Sequence, residues 1–463
     1  MTVTLSWPWN EEWVHEGWFW QPEQSDTRFY GRLENSSPDG PTLHLVDTNL
    51  FSGHEPPEPV QALFGQTLSG VPLSVHGFYP AHWGAAVAGG SNTLDGFPQT
   101  LIAGGQPATP AELTGFGFTA RLHGLRETLS GGSMDGGLLN PRAGEHGQGE
   151  RLQFELDDRA KLELAVFEER SVSRVREHKE AFAAAHLLLQ KPMALAEMER
   201  SYLEPLCDLV AFATRRACYV QSLRLPASRK SIKALHVVRT PYPKPDARSE
   251  RDVYSLTLNL ADLPEPQETL QAWFALHQRV GPVWQLLFST LQRTDGLLEN
   301  RFMNLVAFAE GYHRALHDQP PLPPEQAKAA TKAALKSITD RKTRRVYREA
   351  LAHANSQSQA QRVSELTGRC LAVLDAWELD GAAFTREVKD TRNWLNHWGK
   401  RGKDTRDDGA GLSLLVARLE VILYANLMLD LGMRNHEVAK AIGSGWRLDW
   451  DVVNQPAPAS ARP

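Results

Sequence analysis

The chain reads as an α+β protein, with a β-rich N-terminal region followed by an all-helical one. Three observations predict this. Up to about residue 262, short apolar runs such as 17–22 (GWFWQP), 41–48 (PTLHLVDT) and 71–79 (VPLSVHGFY) alternate with turn formers. Leu263-Pro264-Glu265-Pro266 then breaks the chain. Beyond it, apolar residues recur at three- and four-residue steps almost to the end. The expected units are residues 1–262, residues 263–450, and a tail at 451–463 whose composition predicts disorder.

In the first region, Trp7, Trp9, Trp13, Trp18 and Trp20 crowd the start, which predicts a sheet core rather than an exposed binding platform. Asp39-Gly40 predicts a hairpin turn joining residues 31–34 to 42–46. The glycine-rich run 131–149 has no periodicity and predicts a loop; a phosphate cradle would need a strand before it and a helix after it. Residues 152–158 and 161–169 alternate like paired strands, 193–214 have helical spacing, and 218–225, 233–240 and 252–260 predict three more strands. The region forms one unit or two, the division falling near 150.

The second region predicts helices at 268–280, 282–291, 298–317, 324–338, 341–354, 359–374, 382–398, 412–431 and 435–442. Gly281-Pro282 splits the first pair. Phe302, Leu305, Val306, Ala309, Tyr312 and Leu316 form one amphipathic face. The 412–431 helix is apolar on nearly all sides, as expected at a bundle centre or a subunit interface, and Gly432 is placed to cap it.

With 463 residues, 41% hydrophobic and 23% charged, the chain has ordinary globular composition and room for more than one domain. A net charge of −5 excludes a generally basic nucleic-acid coat, so any RNA contact must be a local patch. Cys207, Cys218 and Cys370 are too few and scattered for a disulfide framework or a zinc site. The start MTVTLSWPWNEEW lacks the features of a signal peptide, and the 412–431 run is interrupted by Arg418, Glu420, Asn426 and Asp430. A cytoplasmic protein without a membrane span is expected. The sixteen histidines show no metal-ligand spacing, so neither metal nor other cofactor is expected.

The stretch 390–403 (DTRNWLNHWGKRGK) carries the chemistry. Arg392 is a permanent cation whose planar fork suits phosphate, and His397 can exchange a proton near neutral pH. Together they suffice for metal-free RNA cleavage, in which a ribose 2′-hydroxyl attacks the adjacent phosphorus. Five residues apart on a helix, they are separated by about 140°. Arg392 must reach round, the helix must distort, or two chains must each contribute. Asn393 and His397 do share a face. Lys400, Arg401, Lys403 and Arg406 can track the flanking backbone, or serve only as favourable charge at a helix C-terminus. Trp398 either stacks on a base or anchors the helix. The run Arg341, Lys342, Arg344, Arg345 and Arg348 is either a second RNA contact or a solvated face.

Residues 298–442 resemble the HEPN superfamily (higher eukaryotes and prokaryotes nucleotide-binding), specifically the ApeA-like HEPN domain. Residues 392–397 (RNWLNH) fit its Arg-x4–6-His motif, with Asn after the Arg. Residues 308–313 (FAEGYH) are similar to the upstream helix that carries an acidic residue facing the motif, and 412–432 with 435–442 to the closing helix pair. Residues 17–22, 31–33 and 43–45 resemble the ApeA N-terminal domain. The Trp394/Trp398 flanking is a departure from the pattern. The resemblance implies a metal-independent endoribonuclease of abortive anti-phage defence, with tRNA as a first candidate substrate. It implies a homodimer through the HEPN domain and a composite site of Arg392, His397, Asn393 as a positioning residue, and Glu310 as supporting carboxylate. The N-terminal region would then sense a phage-derived trigger or restrain the nuclease. The competing reading is a non-catalytic RNA-binding or adaptor protein that uses the bundle to dimerise.

Overall fold

The computed structural model of the chain describes residues 12–445 except 38–39, 49, 51–56, 85–90, 108, 131–147, 173–176, 227–233, 240–255, 261–262, 293–295, 353, 374–378 and 398–400. The fold is α+β, and the chain divides into two compact units between Phe274 and Ala275.

The N-terminal unit opens with strands β1 (Trp13–Trp20), β2 (Phe29–Ser37), β3 (Gly40–Val46), β4 (Val60–Thr67), β5 (Pro72–Gly84) and β6 (Thr93–Ala103). They run antiparallel in the order β3-β2-β1-β4-β5-β6, and β3 pairs with β6 to close a six-stranded barrel. Alternate residues fill it: Phe19, Phe29, Leu33, Leu43, Leu45, Leu63, Val75 and Phe78 are buried together. Phe19 fits because Gly31 and Gly65 flank it; a Cβ there would come within 2.8 and 2.7 Å of its ring. The expected β2–β3 hairpin is present, with Gly40 at φ 104°, while Pro38 and Asp39 lie outside the described residues.

Strand β6 serves two sheets. Its first half pairs with β3, and its last residues, Thr100–Ala103, pair with β12 (Ala234–Arg239). From there the sheet continues through β11 (Val220–Pro226), β7 (Thr114–Leu122), β10 (Glu177–Ala194), β9 (Ala160–Val172) and β8 (Gln148–Glu155). The change from barrel to second sheet therefore falls between residues 103 and 114, not near 150. Helix α1 (Leu125–Ser130) and the run α2 (Leu195–Met198), a π-helical turn (Glu199–Leu203) and α3 (Glu204–Thr214) belong to this sheet's half of the unit. The expected strand at 252–260 is not formed where it is described. Residues 256–260 are irregular, with Leu258 and Leu260 buried and Thr257 N donating to Ala213 O; 252–255 lie outside the described residues.

The unit boundary lies later than the prolines suggest because α4 (Pro266–Val280) starts in the N-terminal unit. Gln267 and Gln271 donate to Glu155 O at 2.6 and 2.7 Å, and Trp273 Nε1 donates to Pro205 O at 2.7 Å. In the helical unit, Gly281 at φ 64° ends α4, and α5 (Trp284–Gln292) follows. The remaining helices are α6 (Leu298–Leu316), α7 (Pro324–Lys336), α8 (Arg341–Leu351), α9 (Gln359–Cys370), α10 (Gly381–His397), α11 (Gly409–Asp430) and α12 (Asn435–Gly445). Helix α11 is the bundle axis, buried from Leu412 to Met428 on nearly every side and packed by α6, α9, α10 and α12. By length and hydropathy it is the one described helix that could cross a membrane, but its apolar stretch is 78% buried in the bundle.

Candidate active site

Helix α10 begins where Asp380 Oδ1 accepts the backbone N–H groups of Ala382 and Ala383, at 3.0 and 2.9 Å. It buries Phe384, Glu387, Val388 and Thr391 against the bundle, at helical spacing. Because α10 continues as α-helix through His397, Arg392 and His397 remain about 140° apart. Arg392 is half-buried, and its Nη1 lies 3.4 Å from Asn393 Oδ1. Asn393, Asn396 and His397 are exposed. One chain thus presents the proton carrier outward and the guanidinium round the helix from it, with Asn393 touching the latter.

The loop that follows is tied down by its own charges. Arg406 N donates to Thr391 Oγ1 at 2.9 Å, and the Arg406 guanidinium pairs with the buried Glu387 carboxylate. Arg401 pairs with Asp407, and Arg386 with Asp404 at 3.4 Å. Gly402 sits where any Cβ would run into the Asp390 carboxylate. Asp408 then caps α11 by accepting Gly411 N at 2.7 Å. Of the expected RNA-tracking cations, Arg406 and Arg401 are thus engaged with carboxylates, while Lys403 is exposed and in no ion pair among the described residues. Trp398 and Lys400 lie outside the described residues.

Glu310 is placed elsewhere. Arg301 Nη2 donates to Glu420 Oε1 at 2.6 Å and Tyr312 Oη donates to Asp430, so α6 and α11 run in the same direction. Glu310 is therefore level with the last turns of α11, whereas Thr391 and Arg406 fix the motif beside its first turns. Within one chain Glu310 does not support Arg392 or His397. Glu310 is in no ion pair among the described residues, not even with Arg314 one turn on. The sequence cue was correct in identifying α6, whose Phe302, Leu305, Val306, Ala309 and Tyr312 are buried, but blind to its direction.

Residues 303–437 match the family described as Apea-like HEPN. This part of the chain is an Apea-like HEPN domain. The match runs from the second turn of α6 to the first turn of α12, so it contains α10 and the loop that secures it. It does not extend to the N-terminal unit. HEPN domains are in general ribonucleases. No curated protein matches the chain.

At the far end of the HEPN domain lies a polar cluster that sequence reading missed. Asp430 receives hydrogen bonds from Tyr312 and Arg369, and its Oδ2 lies 3.0 Å from His317 Nε2. Arg369 Nη1 donates to Asn426 Oδ1 at 2.9 Å, and Asn426 Nδ2 donates to Leu366 O at 2.9 Å. Next to it, His313 Nε2 lies 2.7 Å from Glu365 Oε2, and the buried Arg362 pairs with Asp318 at 2.7 Å. Burial alone would raise the Asp430 carboxyl, but the hydrogen bonds from His317, Arg369 and Tyr312 outweigh it and hold it down at about 2. This cluster fastens α6 and α9 to α11. The available signal was three polar residues, Arg369, Asn426 and Asp430, inside otherwise apolar helix faces.

Proposed function

We propose that the chain is an endoribonuclease that cleaves RNA by transesterification, without needing a metal ion, as the effector of an abortive anti-phage response. The observation that carries this reading is an exposed His397 and a neighbouring Arg392 on a helix of an Apea-like HEPN domain. The 2′-hydroxyl attacks phosphorus and passes its proton to a His397 imidazole. The bond from phosphorus to the 5′-oxygen breaks, and that oxygen takes up a proton from a second carrier. Arg392 neutralises charge developing on the phosphoryl oxygens, and Asn393 positions it. Two copies of α10, one from each protomer of a two-fold dimer, supply both an Arg and a His facing one phosphate, and two histidines to serve as base and acid. The N-terminal unit acts as sensor or restraint, answering a phage-derived trigger.

Purified protein incubated with total RNA in EDTA should yield fragments ending in 2′,3′-cyclic phosphate and 5′-hydroxyl. His397→Ala should lower the rate by about 10²- to 10⁴-fold, and Arg392→Ala by about 10²- to 10³-fold. If both variants cleave like the parent, this site is wrong. A non-catalytic RNA-binding protein would retard RNA in gels and leave it intact.

A further inference from the structure

We propose that the cleft between α7 and α8 is an RNA-backbone site that holds the substrate at a distance from the cleavage centre. The proposal rests on the ribonuclease reading and adds a second point of contact to it.

These two helices bury no residue and stand outside the bundle core. The cleft between them, about 740 Å³, is lined by Lys328, Lys332 and Lys336 of α7 and Arg344 and Arg348 of α8, together with the apolar Ala327, Leu335, Leu351 and Ala352, and by no carboxylate. The carboxylates of α8 and its cap are engaged elsewhere: Asp340 caps α8 by accepting Thr343 N at 2.6 Å, and Glu349 faces Arg345 at 3.9 Å. Arg344 donates through Nε to Ile338 O at 2.7 Å. Lys328, Lys332, Lys336 and Arg348 make no ion pair among the described residues.

Like charges four residues apart on a helix repel, yet α7 holds all three of its lysines at four-residue steps on the cleft side, and α8 adds Arg344 and Arg348 there while its Arg341, Lys342 and Arg345 lie outside the lining. Folding alone gives no reason for this arrangement; a bound polyanion does. Successive lysines on α7 lie about 6 Å apart along the axis, close to the length of one nucleotide in an extended strand. The whole chain carries net charge −5, so this cationic cleft is a local feature rather than general basicity.

Its position sets the substrate length. In sequence α7 and α8 lie between the end of α6 and the start of α9, both of which are tied near the end of α11 (His317 to Asp430, Arg362 to Asp318), while the motif lies beside the first turns of α11. The 22 residues of α11 span roughly 33 Å. A dinucleotide can fill the cleavage site alone, and only a longer RNA can reach both.

The test uses the full chain in EDTA. Binding is measured with His397→Ala chains and a long labelled RNA, and cleavage with the active enzyme on long RNA and on a dinucleotide. Lys328→Gln/Lys332→Gln/Lys336→Gln should weaken long-RNA binding by about tenfold or more at low salt. It should also flatten the salt dependence by about 0.7 in log–log slope for each phosphate that is no longer neutralised. It should raise KM for long RNA and leave dinucleotide turnover unchanged. Arg341→Gln/Lys342→Gln/Arg345→Gln, which removes equal charge outside the cleft lining, should have a much smaller effect. Equal weakening by both triples, no weakening by the first, or a cleft that binds labelled poly-glutamate while RNA affinity is untouched would overturn the proposal. An enzyme that cuts normally with the first triple sinks the cleft and leaves the ribonuclease; a chain that binds RNA through the cleft yet cuts none does the reverse.

Discussion

Glu387 and Arg406 decide whether the segment after the motif stays in place. The Glu387 side chain is only 11% exposed and Arg406 26%, and the same Arg residue is bound through its backbone to Thr391, one position before Arg392. Removing the carboxylate strands a largely desolvated guanidinium, at a cost of about 2–3 kcal/mol. Glu387→Ala should therefore destabilise the helical unit by that amount in denaturant titrations and reduce RNA cleavage although His397 is intact. Glu387→Gln, which still accepts a hydrogen bond, should recover part of both. Unchanged stability and cleavage in the Ala variant would remove the pair from any role in positioning the site. The sequence shows Arg401 and Arg406 as a run of free cations. The partner of Arg401 is six residues on, but that of Arg406 is nineteen residues back on the buried face of a helix, which local reading does not reach.

Element by element, the helices were the easier part to read. A 3.6-residue period, Gly281-Pro282 and Gly432 mark their limits, and α6, α9 and α11 lie close to where their apolar spacing places them. Strands were harder wherever local preference and tertiary pairing disagree. Strand β10 contains Glu-Ala-Phe-Ala-Ala-Ala-His-Leu-Leu-Leu, helix-favouring composition that becomes a strand because β7 and β9 pair with both its edges. Strand β6 carries Gly96 and Pro98, which read as breakers but sit where the strand passes from the barrel to the second sheet. The cluster joining α6, α9 and α11 was invisible because its members are up to 118 residues apart. It makes a prediction about pH. The Asp430 carboxyl is depressed to about 2 in the folded protein, so it contributes stability above its unfolded value near 4, and that contribution is lost as pH falls through about 2. The shift corresponds to roughly 2 kcal/mol. Comparing urea midpoints, the parent should exceed Asp430→Asn by a constant margin above pH about 4, and the margin should close toward pH 2. A margin independent of pH would mean that the carboxylate charge contributes nothing to holding these helices.

At the scale of the whole molecule, the question is how many chains make one site. The five-residue spacing and the helical continuity of α10 leave Arg392 and His397 of one copy pointing apart, and Glu310 lies toward the other end of α11. On the proposed reading each chain carries half of the chemistry, and a two-fold pair completes it. Complementation tests this without a structure of the dimer. Arg392→Ala and His397→Ala chains, each inactive alone, are co-expressed with different tags and the mixed species is purified through both. If the Arg of one protomer acts with the His of the other, the mixed dimer keeps one intact Arg–His combination and lacks the second histidine as proton donor, so it should cleave measurably faster than either single-variant homodimer while staying below the parent. If one chain holds a complete site, no combination in the mixture is intact and activity should stay at the level of the single variants. A parental chain that sediments as a monomer at assay concentration while cleaving at full rate would rule out the two-chain site even if both side chains prove essential.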